Sequence, residues 1–341
     1  MKEVITMNRI FLCGFGNVGR AFVKLVLSKK ELIAKRNYDL KIVGILDSNG
    51  AALDAKGFTE EDLIGLLNTR RGEVSSTEKG RKKISFEEAL SITQPNIVVI
   101  ATPTVYSKDS PGIYLSLTAL RNGCNIVTAD KSPLALMFKD MMMESSKRNL
   151  KFKYKATVMA GTPIIDMLSQ IKLYDIEEVE GILNGSTNYI LSKVSRDFLS
   201  FEEALASAKA LGILESDPKL DLEGLDAAAK LVIIANTLGY DLKIEEVKRT
   251  SITNQEEKIK SILKKNKVPK YVGILNFSLG KAQIKLSGYP YSDPMSNVND
   301  TLNAIRIKSS INNIFIVGKG AGPLETAHAL LSDVVSIIEG C

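Results

Sequence analysis

The sequence contains very little cysteine and histidine. Three cysteines are too few for a disulfide framework, and no C-x-x-C pair or Cys/His cluster predicts a zinc site. Cys13 and Cys124 adjoin or lie in apolar strand patterns and are expected in the core, whereas Cys341, the last residue, leaves an intersubunit disulfide open. The single histidine, His328, has no partner histidine or cysteine nearby. We therefore expect chemistry that does not depend on histidine.

Long apolar runs and a strong net charge are also missing. No run approaches the roughly 20 apolar residues that a membrane-spanning helix needs, and the N-terminal "MKEVITMNRI" lacks the apolar stretch of a secretory signal. The net charge is only +6, from 45 basic and 39 acidic residues. Basic clusters at 69–74 and 79–83 are interpreted as solvated loops rather than polyanion sites. We expect a cytoplasmic protein with neither a membrane nor a nucleic-acid partner.

The first part of the chain alternates short apolar strands with helical patterns. From residue 9 to about 155 the strands "RIFLCGFG", "LKIVGILDS", "PNIVVIATPT" and "NIVTADK" are separated by segments with apolar residues at helical spacing. Strands this apolar are buried on both faces, which predicts a parallel sheet wrapped by crossover helices. After residue 154 the pattern becomes a mixture of helices and strands. The prediction is an α/β protein, with a Rossmann-type doubly wound sheet followed by an α+β domain.

A glycine loop joins the first strand to the first helix. "GFGNVGR" is a G-x-G-x-x-G pattern in the position where such loops bind the pyrophosphate of a dinucleotide. The first glycine permits the turn, the second lets the pyrophosphate approach, and the third lets the helix pack closely, while the helix N-terminus faces the phosphates. The predicted cofactor contacts in this loop are Gly14, Phe15, Gly16, Asn17, Val18 and Gly19.

The preference between NAD and NADP stays open. Asp47 closes the second strand, where an acid holds the adenosine ribose hydroxyls, and this favours NAD. However, it lies farther from the glycine loop than is usual, and Lys56 and Arg70 could meet a 2′-phosphate. Two other strand ends, "ATPT" and "TADK", are predicted at the same carboxyl edge of the sheet, where ligands bind.

An acidic segment precedes a nearly all-apolar helix. In "ESDPKLDLEGLDAAAK" (215–230), Asp226 and Lys230 are four residues apart and share a helix face. An exposed salt bridge is one explanation. The apolar neighbours favour another, because a lysine shielded from water in a buried helix is a candidate acid/base group.

The other carboxylates of this segment receive separate interpretations. Glu215 follows the end of a helix and could hold a cationic ligand group, whereas Asp217 precedes a proline and is interpreted as a turn residue. Asp221 and Glu223 are interpreted as capping and dipole partners of the helix. The spacing of a calcium loop is absent.

Four segments together resemble the homoserine dehydrogenase family. They are "GILNGSTNYIL", "LGILESDPKLDLEGLDAAAKL", "VTADKSPLA" and "GKGAGPLETA", which occur in the family's order and cover nearly the whole chain. The resemblance implies reversible, NAD(P)-dependent interconversion of L-homoserine and L-aspartate 4-semialdehyde, in the biosynthesis of threonine, methionine and isoleucine. It also implies a short form, without kinase or C-terminal regulatory domain.

The resemblance assigns roles to particular residues. Lys230 is implied as proton donor and acceptor, with Lys131 as a second lysine near the nicotinamide. The implied substrate contacts are Glu215, Asp226, Gly185 and Ser186, and the implied further dinucleotide contacts are Thr102, Gly212 and Gly322. Where the family often has a glutamate in a loop that binds a monovalent cation, this chain has Lys155, whose ammonium could replace the ion, so the monovalent cation stays open.

The resemblance also implies an organisation of the chain. Residues 1–153 and 319–341 are expected to form the dinucleotide-binding domain, and residues 154–318 the substrate-binding, catalytic and dimerisation domain, with a homodimer built through the strands of 265–318. Two other functions stay open: another NAD(P)-dependent amino-acid dehydrogenase on the same fold, and a non-catalytic dinucleotide sensor.

Overall fold

The computed structural model describes residues 8–214 and 218–340. The chain divides into a first unit, Met1–Thr157 with Gly322–Cys341, and a second unit, Val158–Ala321. Cys341 and the segment 215–217 lie outside the described residues. Within the described part, no helix has both the length and the apolar character that crossing a membrane requires.

The first unit alternates strands and helices along most of its length. Its described strands are β1 (Asn8–Cys13), β2 (Leu40–Asp47), β3 (Gly50–Leu53), β4 (Gly80–Lys82), β5 (Ile97–Ile100), β6 (Asn125–Thr128) and β7 (Phe152–Lys153). Its described helices are α1 (Asn17–Ser28), α2 (Lys30–Lys35), α3 (Glu60–Leu67), α4 (Phe86–Thr93), α5 (Pro111–Arg121), α6 (Ser132–Lys147) and the last helix of the chain, α13 (Pro323–Ile338).

The sheet of the first unit is mostly parallel. Its described strands follow the order β4-β3-β2-β1-β5-β6-β7, with parallel pairing from β2 through β7 and antiparallel pairing of β3 to both its neighbours. The order runs one way from β1 to β2 and the other way from β1 to β5, which is the switch point at which open α/β sheets bind ligands. The predicted doubly wound α/β fold is confirmed.

The second unit carries a different sheet with its helices. Its described elements, in chain order, are α7 (Ile164–Gln170), β8 (Ile176–Ile182), α8 (Gly185–Arg196), α9 (Phe201–Ala210), α10 (Lys219–Leu222), α11 (Leu225–Thr237), β9 (Lys248–Arg249), α12 (Glu256–Lys264), β10 (Lys267–Asn276), β11 (Lys281–Pro290), β12 (Leu302–Ser309) and β13 (Asn313–Lys319). Among the described residues the strand order is β13-β12-β8-β10-β11-β9, and all pairs except β11 with β9 are antiparallel.

Local sequence signals explain several boundaries in the two units. Ser85 caps α4 and Ser200 caps α9, each through a capping box with the glutamate three residues later. Gly212, just beyond α9, adopts the left-handed conformation (φ +67°) that favours glycine after a helix end. Strand β10 ends at Asn276, because the chain turns at 277–280 before β11 begins.

Candidate active site

The glycine loop of the first unit has the geometry that its sequence predicts. Gly14 has φ +98°, and a Cβ there would lie 2.6 Å from the carbonyl oxygen of Ala101. A Cβ on Gly19 would lie 2.1 Å from the carbonyl oxygen of Gly14. By contrast, a Cβ on Gly16 would meet no protein atom within 4 Å. Gly14 and Gly19 are therefore required by the fold, whereas Gly16 leaves open space beside the backbone where a pyrophosphate can approach.

The ends of β5 and β6 are joined beside this loop. The Thr102 hydroxyl donates to Asp130 Oδ2 (2.9 Å), and the Lys131 backbone N–H donates to the Thr104 hydroxyl (3.2 Å). Burial raises the pKa of Asp130, which is fully buried. Lys131 precedes the first residue of α6. The first unit thus brings the predicted residues Thr102 and Lys131 together at one edge of its sheet.

Asp47 lies at the end of β2, and its carboxylate is occupied by backbone groups. Oδ1 accepts from the Asn49 N–H (2.9 Å) and Oδ2 from the Val74 N–H (3.0 Å). The Arg71 guanidinium contacts the glycine loop, because it donates to Asn17 Oδ1. That Lys56 or Arg70 meets a 2′-phosphate stays a prediction. A carboxylate at the end of β2 and an arginine beside Asn17 are therefore both present in the first unit, and the coenzyme preference stays open.

In the second unit, four side chains from α10, α11 and the residue before α8 form a largely buried polar cluster. Asn184 Nδ2 donates to Asp221 Oδ1 (2.7 Å) and to Asp226 Oδ2 (3.1 Å). Lys230 Nζ donates to Asp226 Oδ2 (2.9 Å) and to the backbone oxygen of Leu183 (2.6 Å). We call Asn184, Asp221, Asp226 and Lys230 the acid–lysine cluster.

Lys230 is buried by the helix that carries it. Every residue from Ala227 to Ala235 in α11 is buried, and the Lys230 residue is 7% exposed. Asp226, one turn earlier, compensates the charge that burial would otherwise penalise. The pair is thus not the exposed surface salt bridge that sequence reasoning left open. A buried ammonium with a fixed partner can hold and move a proton at a defined position.

Sequence reasoning misjudged Asp221 and missed Asn184. Asp221 and Glu223 do not cap α11, whose N-cap is Gly224 without a side-chain hydrogen bond. Instead Asp221 faces Asp226 across Asn184, and burial, followed by the charge of Asp226, raises the pKa of Asp221. Asn184 is the first residue of the N-G-S-T-N motif and also caps α8, because its Oδ1 accepts from Thr187 N–H (2.9 Å). The signal available in the sequence was an asparagine that both opens this motif and directly precedes a helix.

The remaining predicted substrate and cofactor residues lie in turns. The Ser186 hydroxyl donates to the Ile213 backbone oxygen (3.0 Å), which brings the first turn of α8 to the segment that follows Gly212. Gly185 packs against the Thr301 backbone, where a Cβ would lie 2.8 Å from its oxygen. Gly322 begins α13 in the first unit with φ +135°. Glu215 lies outside the described residues.

Lys155 places an ammonium against α13. Its Nζ lies 3.6 Å from Asp333 Oδ1 and donates to the hydroxyls of Ser332 and Ser336 (3.1 and 3.3 Å). In the part of the chain that the structure describes, no group of three or more His, Cys, Asp or Glu residues is arranged to hold a metal ion.

The glycine loop at the switch point of the first unit and the acid–lysine cluster of the second unit define a dinucleotide-dependent oxidoreductase. The family profile "Homoserine dehydrogenase" matches residues 163–335. The homoserine dehydrogenase of Methanocaldococcus jannaschii is 36% identical, over 96% of this chain and 98% of that protein. The NAD(+)-dependent homoserine dehydrogenase of Pseudomonas canavaninivorans is 30% identical, over 98% and 97%.

A solved structure agrees with these relatives. A mutant of a hyperthermophilic archaeal homoserine dehydrogenase, in complex with NADPH, superposes with a TM-score of 0.83 at 26% identity, covering 98% of this chain and 99% of that one. The chain belongs to the homoserine dehydrogenase family. As such it is an NAD(P)-dependent oxidoreductase that interconverts L-homoserine and L-aspartate 4-semialdehyde.

Proposed function

We propose that Lys230 is the proton donor and acceptor of this reaction, with Asp226 as its charge partner. The observation that carries the proposal is a buried ammonium 2.9 Å from a carboxylate and 2.6 Å from a backbone oxygen. In the reducing direction Lys230 gives a proton to the aldehyde oxygen; in the oxidising direction its neutral amine takes the hydroxyl proton. The bound nicotinamide supplies or accepts the hydride.

We propose that carboxylates of the second unit select an amino-acid substrate. Asp221 and Asp226 lie on either side of Asn184, with Ser186 beside them, and Glu215 is assigned to the same role from the family resemblance. Two clustered carboxylates bind a substrate ammonium through charge-assisted hydrogen bonds. That contact separates homoserine from simple alcohols, because an alcohol without the amine would leave buried charges unpaired.

The cofactor role is proposed for the first unit, together with Gly212 from the second. It rests on Gly14 to Gly19 and Asp47, on Thr102 and Lys131 at the neighbouring strand ends, and on Gly322. The Lys131 side chain is proposed as the second lysine of the reaction. Because Asp47 and Arg71 favour different coenzymes, both NAD and NADP are candidates.

Initial rates with purified protein test the substrate assignment. Homoserine is compared with 4-hydroxybutyrate, which lacks the amine, and with 2-aminobutyrate, which lacks the 4-hydroxyl, each with NAD+ and with NADP+. We expect turnover of homoserine and at least a 100-fold lower kcat/KM without the amine. Faster oxidation of a different amino acid would favour another dehydrogenase. Coenzyme binding without any turnover would favour a sensor.

A homodimer formed through the sheet of the second unit is also proposed. The edge strand β13 carries "IFIV" at 314–317, and none of these four residues is buried. An apolar edge strand left uncovered is an aggregation hazard, so a second copy is the occupant that we propose. Sedimentation equilibrium should give twice the chain mass, and Val317→Glu, at an exposed position of the same strand, should give the monomer. A monomeric parent would contradict the proposal.

We place the protein in the cytoplasm, where its charged substrates and coenzyme are found.

A further inference from the structure

A second buried lysine, which the proposed chemistry does not use, lies in β10. Lys270 is fully buried, and among the described residues it has no carboxylate at ion-pair distance. Its Nζ donates to the Val298 backbone oxygen, to Asn188 Oδ1 (3.3 Å) and to Asn299 Oδ1 (3.4 Å). Three N–H groups thus meet three neutral oxygens. Burying a charge without a counter-ion is costly, so the arrangement calls for a function.

The three oxygens belong to α8 and to the segment 298–302, which Lys270 therefore joins. Asn188 strengthens the junction, because its Nδ2 donates to the backbone oxygens of Val298 (3.1 Å) and Leu302 (2.9 Å). One turn further along α8, the Ser192 hydroxyl accepts from the Asp300 N–H (3.0 Å). The segment is thus fastened to the helix at several points.

This junction is one helical turn from the acid–lysine cluster. Asn184 and Asn188 are the first and last residues of the N-G-S-T-N motif, and at i, i+4 they lie on the same side of α8. Asn184 binds Asp221 and Asp226, whereas Asn188 binds Lys270. Between them, Gly185 packs directly on the Thr301 backbone. A shift of segment 298–302 would press on the turn that carries Asn184.

We propose that Lys270 is a positioning residue: its buried ammonium holds Asn188 and the segment 298–302 so that the first turn of α8 presents Asn184 and Ser186 in register with Asp226 and Lys230. In the N-G-S-T-N motif, Asn184 then serves the proposed reacting site, and Asn188 binds the buried ammonium of Lys270. This inference rests on the proposed roles of Lys230 and Asp226.

The charges near Lys270 agree with this role. Burial and, to a smaller extent, the nearby Arg196 together lower the pKa of Lys270 to about 8, and Asp300 opposes both. A neutral amine has only two N–H donors for the three oxygens. The ammonium is therefore the form that satisfies the junction at neutral pH.

The test compares Lys270→Met with Lys285→Met. Lys285 lies on the neighbouring strand β11, on the same face of the sheet, and is only partly buried, so it is a matched control. With both variants shown to be folded by circular dichroism, we expect kcat/KM for homoserine to fall at least tenfold in Lys270→Met and to change less than twofold in Lys285→Met. Coenzyme Kd should stay within twofold of the parent in both, because the glycine loop is untouched.

Two further measurements distinguish the positioning role of Lys270 from a merely structural role, and a failure of this proposal from a failure of the substrate assignment. Asn188→Ala should cause a similar loss, and the double variant should be no worse than the single ones, because both remove one junction. Amide exchange in 185–192 and 299–302 should be at least tenfold faster in Lys270→Met, whether or not homoserine is the substrate. Unchanged kcat/KM in Lys270→Met, losses that multiply in the double variant, or unchanged exchange would overturn the proposal.

Discussion

Replacing Lys230 with Met separates its catalytic role from its structural one. Methionine keeps the apolar stem in the buried helix but removes the ammonium that lies 2.9 Å from Asp226. Losing a positioned proton donor costs about 10²- to 10⁴-fold in rate. At 1.36 kcal/mol per tenfold, this corresponds to a barrier that is higher by about 3 to 5 kcal/mol. We expect kcat to fall by that factor, while coenzyme Kd stays unchanged.

The same substitution should also destabilise the fold. Removing one partner of a buried ion pair lowers the free energy of unfolding by about 3 to 5 kcal/mol. The lower value applies here, because the Asp226 side chain is 16% exposed to solvent. Asp226 would then face Asp221 without its cation. The double variant Lys230→Met/Asp226→Asn removes this unpaired charge, while Asn184 keeps an acceptor at position 226. It should recover most of the lost stability and none of the activity.

The assays are absorbance of the reduced nicotinamide at saturating homoserine, and thermal unfolding of the same preparations. Rates are measured well below the unfolding midpoint of the least stable variant, so that the folded fraction does not enter. A kcat within tenfold of the parent for Lys230→Met would remove this lysine from the mechanism. Recovery of activity in the double variant would show that the loss was one of folding.

Three further predictions concern the glycine loop and two buried charges. Gly16→Ala should leave the unfolding midpoint unchanged and weaken coenzyme binding at least tenfold. Gly19→Ala should lower the unfolding midpoint, because of the two positions only 19 has a Cβ that would clash with the backbone. Equal effects of the two substitutions on stability would contradict this prediction. Because the pKa of Asp221 is raised in the folded protein, its ionisation lowers the free energy of unfolding as the pH rises above 3.8, the ordinary pKa of an aspartate. Asp221→Asn should therefore stabilise the protein at pH 7, lose that stabilisation towards pH 4, and bind homoserine less tightly. A stabilisation that does not depend on pH would argue against repulsion by Asp226. Because the pKa of Lys270 is lowered, the unfolded chain binds more protons than the folded chain between about pH 8 and 10.5. Raising the pH across this window should therefore stabilise the parent relative to Lys270→Met. Thermal unfolding of both proteins at pH 7.5 and 10 should show that the difference between their unfolding midpoints changes in favour of the parent.

Local rules were enough to predict the first unit in outline. The apolar strands and the glycine loop each depend on neighbours within a few residues. The pair Asp226 and Lys230 was predictable for the same reason, because both residues lie on one turn of α11. For such features the information is contained in a short window of sequence, and helix or strand geometry converts it directly into contacts.

Other features depend on residues that are far apart in the chain. Asn184 reaches Asp221 and Asp226 across 37 and 42 positions, so no window around Asp221 could show that it faces another carboxylate instead of capping a helix. The family resemblance supplied several roles, but it did not indicate this contact.

The strand that carries Lys270 shows the same division. A dinucleotide loop, alternating strands and helices, and a lysine–aspartate pair at helical spacing could all be predicted from the order of the residues. The burial of Lys270 could not be predicted in this way, because strand alternation assigns a side chain to a face of the sheet but does not show what covers that face. Here the cover comes from Asn188 and the segment 298–302, which pack onto it from other parts of the chain.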